Sequence, residues 1–519
     1  MSGEKNVQSG QSLHASPFTL HSKDRMCMKI ALIPIDNRPV CYNLAKDIAN
    51  IDDELELLLP DRRFLGGLKS IADADAILEW IKSIGKVDAI VVSLDTIAYG
   101  GLIPSRRSKD SISEIKSRLK IFKETFEGKI KIYAFSSIMR ISNNNINEEE
   151  KEYWDKYGKE IFEYSYTFHK EALDMSDVPQ EILNDYLATR RRNFEINKMY
   201  LEWLEEGFFD TLVFSKDDCA EYGFNVMEAQ ILQKIIIEKN LCSTKKSVFI
   251  KTGADEIPLT LFARAIVDFN NNYKKAPKIS TEFLVPEDRH LISNYEDISI
   301  EQCVQAQLEL ANCEITEEKD SDIILLINNF EEQQGEIVMG IKTNEFLGKF
   351  DLPPDLRINE SNCLAPKPFM IADVRFANGA DNKFVSQLLK KKPGSNFYGY
   401  SAWNTSANTL GSLICAGIVR FFAKSYNKES FNKLQMIRFL DDWAYQANIR
   451  QVLRKEETGK RKQSRVGSLP HHQNRPDFRK LKKAMQPFER KLSNIFNLKS
   501  QIKYKFPWKR FFEIEIIIR

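Results

Sequence analysis

From residue 29 onward, short runs that are apolar almost throughout alternate with longer stretches whose apolar residues recur every three or four positions. The short runs of the first half are KIALIPI at 29–35, LELLLP at 55–60, DAIVVSL at 88–94, KIYAFSS at 131–137, TLVFSK at 211–216 and VFIKT at 248–252. Such unbroken apolarity predicts parallel strands covered on both faces, and ADADAILEWIKSI and SISEIKSRLKIFKETF carry helical spacing between them. Repeated β-α alternation predicts an α/β domain over 29–285. KISTEFLV, DIILLIN, PFMIADVRF and NFYGYSAWN continue the pattern in a second α/β portion assigned to 286–410, with the polar PEDRHLISNYEDISIEQ as hinge or helix entrance. The sheet is either barrel-like or doubly wound, and in both cases functional residues belong where strands end and loops begin.

Over 411–519 the spacing turns helical, in LGSLICAGIVRFF and FNKLQMIRFLDDWAYQANIRQVLRKE. The basic TGKRKQSRVGSLPHHQNRPDFRKLKK reads as a loop and FFEIEIIIR as a closing strand. Residues 1–28 lack the basic start and apolar core of a signal peptide and read as a flexible extension.

Composition narrows the function classes. A chain of 519 residues that is 43% hydrophobic supports large cores, and 75 Lys plus Arg against 73 Asp plus Glu point to no nucleic-acid partner. No apolar run is long enough for a membrane span. Eight well-separated cysteines without a CxxC pair suit free thiols in a reducing, cytoplasmic setting. With no HExxH and no compact His/Cys cluster, no cofactor is expected, although a divalent metal on oxygen ligands stays open.

The chemistry sits at the polar strand ends. Asp36 and Arg38 follow the first strand, Asp95 the third and Arg140 the fourth; the next two end in SKDDCAEYG and KTGADEIP. Adjacent acids at a strand exit need a cation, a proton or open water, so Asp217, Asp218, Asp255 and Glu256 are the candidate catalytic groups. Neighbours on a strand point to opposite faces, so the working pair is expected to take one acid from each motif. Asp36, Arg38, Asp95, Arg140, Asp373, Trp403, Asn404 and Asn408 are candidate substrate contacts, with Trp403 as the stacking surface for a sugar ring.

DNRP, SLDTIAYGGLIPSR, KDDCAEYG, GADE, IADVRFANGAD, YSAWNTSANTLG and the terminal FPWKRFFEI resemble, in this order, motifs of the bacterial DUF4127 family, over about residues 29–519. The resemblance implies that the strand ends belong to one recurrent arrangement, and supplies no reaction. It also implies that an acid often stands at the position of Asn37 and a glycine at that of Ser401, which makes Asn37 a weak candidate acid. The leading expectation is a carbohydrate-active hydrolase with paired carboxylates, acting on a small-molecule or oligosaccharide substrate. The alternatives are a metal-dependent hydrolase or lyase with oxygen ligands and a non-catalytic sugar- or metabolite-binding protein.

Overall fold

The computed structural model describes residues 27–126, 128, 130–217, 219–242, 247–271, 276–344, 346, 348–352, 367–463 and 477–519. The segment read as a flexible extension lies outside them through residue 26, and so does Asp218. The runs of the first half form β1 (Met28–Ile33), β2 (Leu55–Leu58), β3 (Ala89–Ser93), β4 (Lys131–Ile138), β5 (Thr211–Lys216) and β6 (Ser247–Thr252). They make one parallel sheet in the order β2-β1-β3-β4-β5-β6. The second half adds β7 (Lys278–Phe283), β8 (Glu314–Ile315), β9 (Ile323–Asn328), β10 (Gly335–Glu336), β11 (Phe369–Asp373), β12 (Phe376–Ala377) and β13 (Phe397–Ser401). Of these, β13-β11-β9-β7-β8 is a second parallel sheet and β10 pairs β12. Both sheets are open, so the barrel alternative falls. Ranked by appearance, the first runs 2-1-3-4-5-6 and the second 2-1-3-4-5, so each half is doubly wound with its switch between first and third strands. Strand β7, inside the range assigned to the first domain, belongs to the second sheet.

Period-two alternation decides what each face of the first sheet buries. Ile30, Leu32, Val91, Tyr133 and Phe135 face the core shared with the second half, whereas Ala31, Ile33, Ile90, Val92, Ile132 and Ala134 face a separate core under the outer helices. The shared core is bridged by helix Ile257–Asn271, which leaves β6, and helix Ser406–Phe422, which follows β13. They approach closely at Gly411, where an added Cβ would lie 2.6 Å from both Glu256 Cγ and Thr260 Oγ1. We expect Gly411→Val to lower stability by about 1–3 kcal/mol through overpacking, measured by urea unfolding.

The switch point of the second sheet is filled from within, because Asn329 Nδ2 donates to the Val285 carbonyl at 2.7 Å and its Oδ1 accepts from the Val285 N–H at 2.9 Å. The carboxyl edge of the first sheet stays open. Two helices between β4 and β5, Trp154–Glu171 and Gln180–Glu206, extend that half. At the C-terminal end, helix Lys428–Arg438 continues as a π-helical stretch, Phe439–Ile449, and then as helix Arg450–Gln463. The segment read as a basic loop is thus helical at both ends, since helix Phe478–Phe496 begins inside it, and its middle lies outside the described residues. The last two strands, β14 (Ile502–Lys505) and β15 (Glu515–Ile518), pair antiparallel. The described cysteines are all free, and among the described residues no helix is long and apolar enough to cross a membrane.

Candidate active site

Five strands of the first sheet deliver their following residues to one cavity of about 1030 Å³. Asp36 and Arg38 come from after β1, Leu102 and Ile103 from after β3, Arg140 and Asn144 to Glu149 from after β4, Asp217 from β5 and Asp255 from β6. The opposite wall is built by Tyr295, Glu296, Asn378, Asn404 and Asn408 of the second half. The roof is Arg450, Trp508 and the residues to Phe512. A crevice outside the carboxyl ends of parallel strands is where this fold class binds ligands.

At its floor, Arg38 joins three turns of chain. Its Nε donates to Asp36 Oδ2 at 2.8 Å, its N–H to Asp36 Oδ1 at 2.8 Å, and its Nη1 and Nη2 form a fork with Asp255, the Nη1 bond at 2.9 Å. The guanidinium lies 5.1 Å from the Trp508 ring centre, and Trp508 Nε1 donates to Asn37 Oδ1 at 2.7 Å. Asn37 is thus a hydrogen-bond acceptor that fixes the indole. Burial pushes the Asp255 carboxyl up to about 6, opposed by Arg38 and reinforced by the charges of Asp36 and Asp217. Beside this, Arg140 holds Asp217 at 3.2 Å and also pairs with Glu149 at 2.8 Å and Glu150 at 3.2 Å. Burial acts to raise the Glu149 carboxyl, but Arg140, Arg510 and Arg106 together hold it well below the usual range.

The structure brings together Asp36, Arg38, Arg140, Asp217, Asp255, Asn404 and Asn408 of the residues singled out in the sequence. It keeps four apart. Glu256 folds back, with Oε2 accepting from the Ala254 N–H at 3.2 Å and Oε1 from Gln307 Nε2 at 3.0 Å, so it braces the start of its helix away from the cavity. Asp95 takes the Ser136 hydroxyl at 3.1 Å and the Ser137 N–H at 2.9 Å and ties β3 to β4. Asp373 is fully buried among Asn328, Tyr400 and the Asp381 N–H. Trp403 packs edge-on against Phe512 at 6.2 Å and offers the cavity no face.

The structure adds Glu296, Arg450 and Trp508 to the set, with Asn378 of the NGAD turn beside them. Glu296 is buried; one oxygen accepts from the Ala407 N–H at 2.9 Å at the start of helix Ser406–Phe422, and the other, shielded from solvent, makes no hydrogen bond. Burial pushes its pKa up to about 7, against the helix N–H and Thr405, with the Asp297 charge adding to the rise. Its sequence context, SNYEDIS, has no apolar strand leading into it, and so lacks the strand-end signal. Trp508 stands in FPWKRFF, where two basic residues sit between aromatic ones.

Two predictions arise here. Gly253 has φ of +105°, and a Cβ there would overlap the Glu256 carboxylate. Gly253→Ala is expected to destabilise the fold by about 1–3 kcal/mol in urea unfolding. The second concerns pH. Asp47, Asp95 and Asp255 are raised to about 6 and Glu296, Asp373 and Asp442 to about 7, in every case chiefly by burial. The folded state therefore holds protons that the unfolded chain releases. Stability is fully present below the ordinary carboxyl range and is lost as pH rises through 6 to 7. Glu149 runs the other way and loses its contribution only as pH falls below the ordinary glutamate range. The thermal midpoint is expected to fall between about pH 5 and about pH 8, a trend that differential scanning calorimetry will register.

The fold and its crevice define a doubly wound α/β protein with a cavity lined by carboxylates and amides. The chain belongs to the family of proteins of unknown function DUF4127, whose model matches residues 30–517. No curated protein and no solved structure matches it.

Proposed function

We propose that the cavity binds a carbohydrate and hydrolyses a glycosidic bond, with Glu296 protonating the leaving oxygen and Asp217 as the opposed carboxylate. The observation that carries this reading is the Glu296 carboxyl. It lines the cavity and is raised to about 7 by burial, and its second oxygen, shielded from solvent, makes no hydrogen bond. A carboxylic acid still protonated near neutrality is what departure of a sugar alkoxide requires. Asp217, oriented by Arg140, either attacks the anomeric carbon or takes a proton from water, according to whether the two carboxyl groups stand about 5–5.5 Å or about 6.5–9.5 Å apart. Asn144, Asn145, Asn147, Asn378, Asn404 and Asn408 supply amides for hydroxyl groups, and Trp508, Phe511 and Phe512 supply apolar wall.

Asp255 is held in a forked pair with Arg38 and serves to fix that guanidinium. Asp36, Cys41 and Asp255 also bring three donor atoms within 4.8 Å of one another, a grouping that suggests a metal. The chemistry of the set does not fit one. Arg38 already satisfies both carboxylates, and burial together with Asp36 pushes the Cys41 thiol well above its ordinary pKa. The test is a panel of chromogenic aryl glycosides and natural oligosaccharides, assayed with the full chain and with Asp217→Asn, before and after chelation. Turnover of at least one sugar, lost in Asp217→Asn and insensitive to chelator, is the expected result. Sugar binding without turnover, unchanged when Asp217 and Glu296 are both replaced, would instead make this a binding protein.

A further inference from the structure

Most charged groups in the cavity are met by an opposite charge. Arg38 has Asp36 and Asp255; Arg140 has Glu149, Glu150 and Asp217; Arg510 has Glu149 and Glu513. Arg450 departs from this pattern. It lines the cavity yet is only 6% exposed, and its Nη1 donates to Gln446 Oε1 at 2.9 Å while its Nε has no partner. Its guanidinium lies 4.9 Å from the Phe512 ring centre, and among the described residues it makes no ion pair. Burying a guanidinium without a direct ion pair is costly, and burial pushes its pKa down even though Tyr445, Glu513 and Glu336 act the other way.

The backbone holds this arrangement in place. Arg450 comes directly after the π-helical stretch, and its N–H bonds the carbonyl of Tyr445, five residues back. A π turn adds a residue to the helix and so re-aims the side chains beyond it, a device often found at functional sites. The same stretch anchors the facing loop, because the Tyr445 hydroxyl donates to the Phe511 carbonyl at 2.7 Å and Gln446 Nε2 to that of Phe512 at 3.1 Å. Phe512 is thereby fixed against the guanidinium, and Arg454, one turn on, and Lys509 line the same cavity.

We infer that this wall is a subsite for an oxyanion carried by the sugar, a carboxylate or a sulfate or phosphate ester, with Arg450 as its principal contact. The cavity-lining guanidinium makes no direct ion pair and offers planar donors to such a group, whose oxygens would supply a counter-charge in contact with it in a largely water-excluded place. The substrate class is then an acidic rather than a neutral carbohydrate. The carrier's being a sugar rests on the proposed glycosidase function; the anion subsite itself does not.

Calorimetric titrations of the full chain with glucuronate and galacturonate oligomers, their neutral glucose and galactose counterparts, and inorganic sulfate test the inference. Acidic oligomers are expected to bind at least about tenfold tighter than neutral ones, and Arg450→Gln to remove that preference while Arg450→Lys keeps part of it. Because the parent buries a guanidinium that makes no direct ion pair, Arg450→Gln should melt no lower than the parent. Equal affinity for acidic and neutral oligomers, or a preference that survives Arg450→Gln, would overturn the inference, as would a marked fall in melting temperature, which would make Arg450 a structural residue. Sulfate binding that depends on Arg450 while no sugar binds would uphold the anion subsite and remove the carbohydrate reading.

Discussion

Asp255→Ala should cost about 3–5 kcal/mol of folding stability, read as a shift of the urea midpoint at constant slope. The carboxylate accepts a fork from Arg38, whose side chain is buried against Trp508, so its removal leaves a guanidinium with half its acceptors and little access to water. Asp36 stays to meet the Nε edge, which sets the effect at the lower end of that range. Because Arg38 bridges the loops after β1 and β6, the loss also loosens the cavity floor. Asp217→Asn, which leaves Arg140 with both Glu149 and Glu150, should by contrast cost less than about 1 kcal/mol. Similar losses for the two variants would show that Asp255 carries no special weight.

Glu296→Gln is the second large effect, on rate rather than stability. The amide can still accept the Ala407 N–H through its oxygen, so the fold is preserved, but it has no proton to give. Turnover of glycosides with poor leaving groups is expected to fall about 10²–10⁴-fold. The limb of the pH–rate profile on which activity declines above about 7 should disappear with it. A kcat unchanged within a few-fold, or a pH limb that persists, would remove Glu296 from the reaction.

Much of this architecture is legible in the sequence because both sheets are parallel and covered on both faces. KIALIPI, DAIVVSL and DIILLIN have no polar face to hide, and they end where polar residues begin. That same boundary led to Asp36, Arg38, Arg140, Asp217 and Asp255, all of which meet in the cavity. It also led to Asp95 and Asp373, because a buried acid that ties one strand to its neighbour has the same local signature as one that faces a ligand. Trp403 shows the limit of composition: an indole among amides suits a sugar, but this one is spent on Phe512. Glu296, Trp508 and Arg450 come from loops and a helix remote in sequence from most of the strands they face. Their place depends on contacts between segments distant in sequence, such as Trp508 with Leu68 and Ile103, which no local pattern encodes.

Proton donation from Glu296 to a glycosidic oxygen is the step on which the proposed hydrolysis depends. The most direct measurement compares kcat/KM of the parent and Glu296→Gln on two aryl glycosides of one sugar, one with a dinitrophenolate leaving group that needs no proton and one with an alkoxide that does. The expected result is a defect of about 10²–10⁴-fold on the alkoxide and at most a few-fold on the dinitrophenolate. An equal defect on both substrates would contradict it.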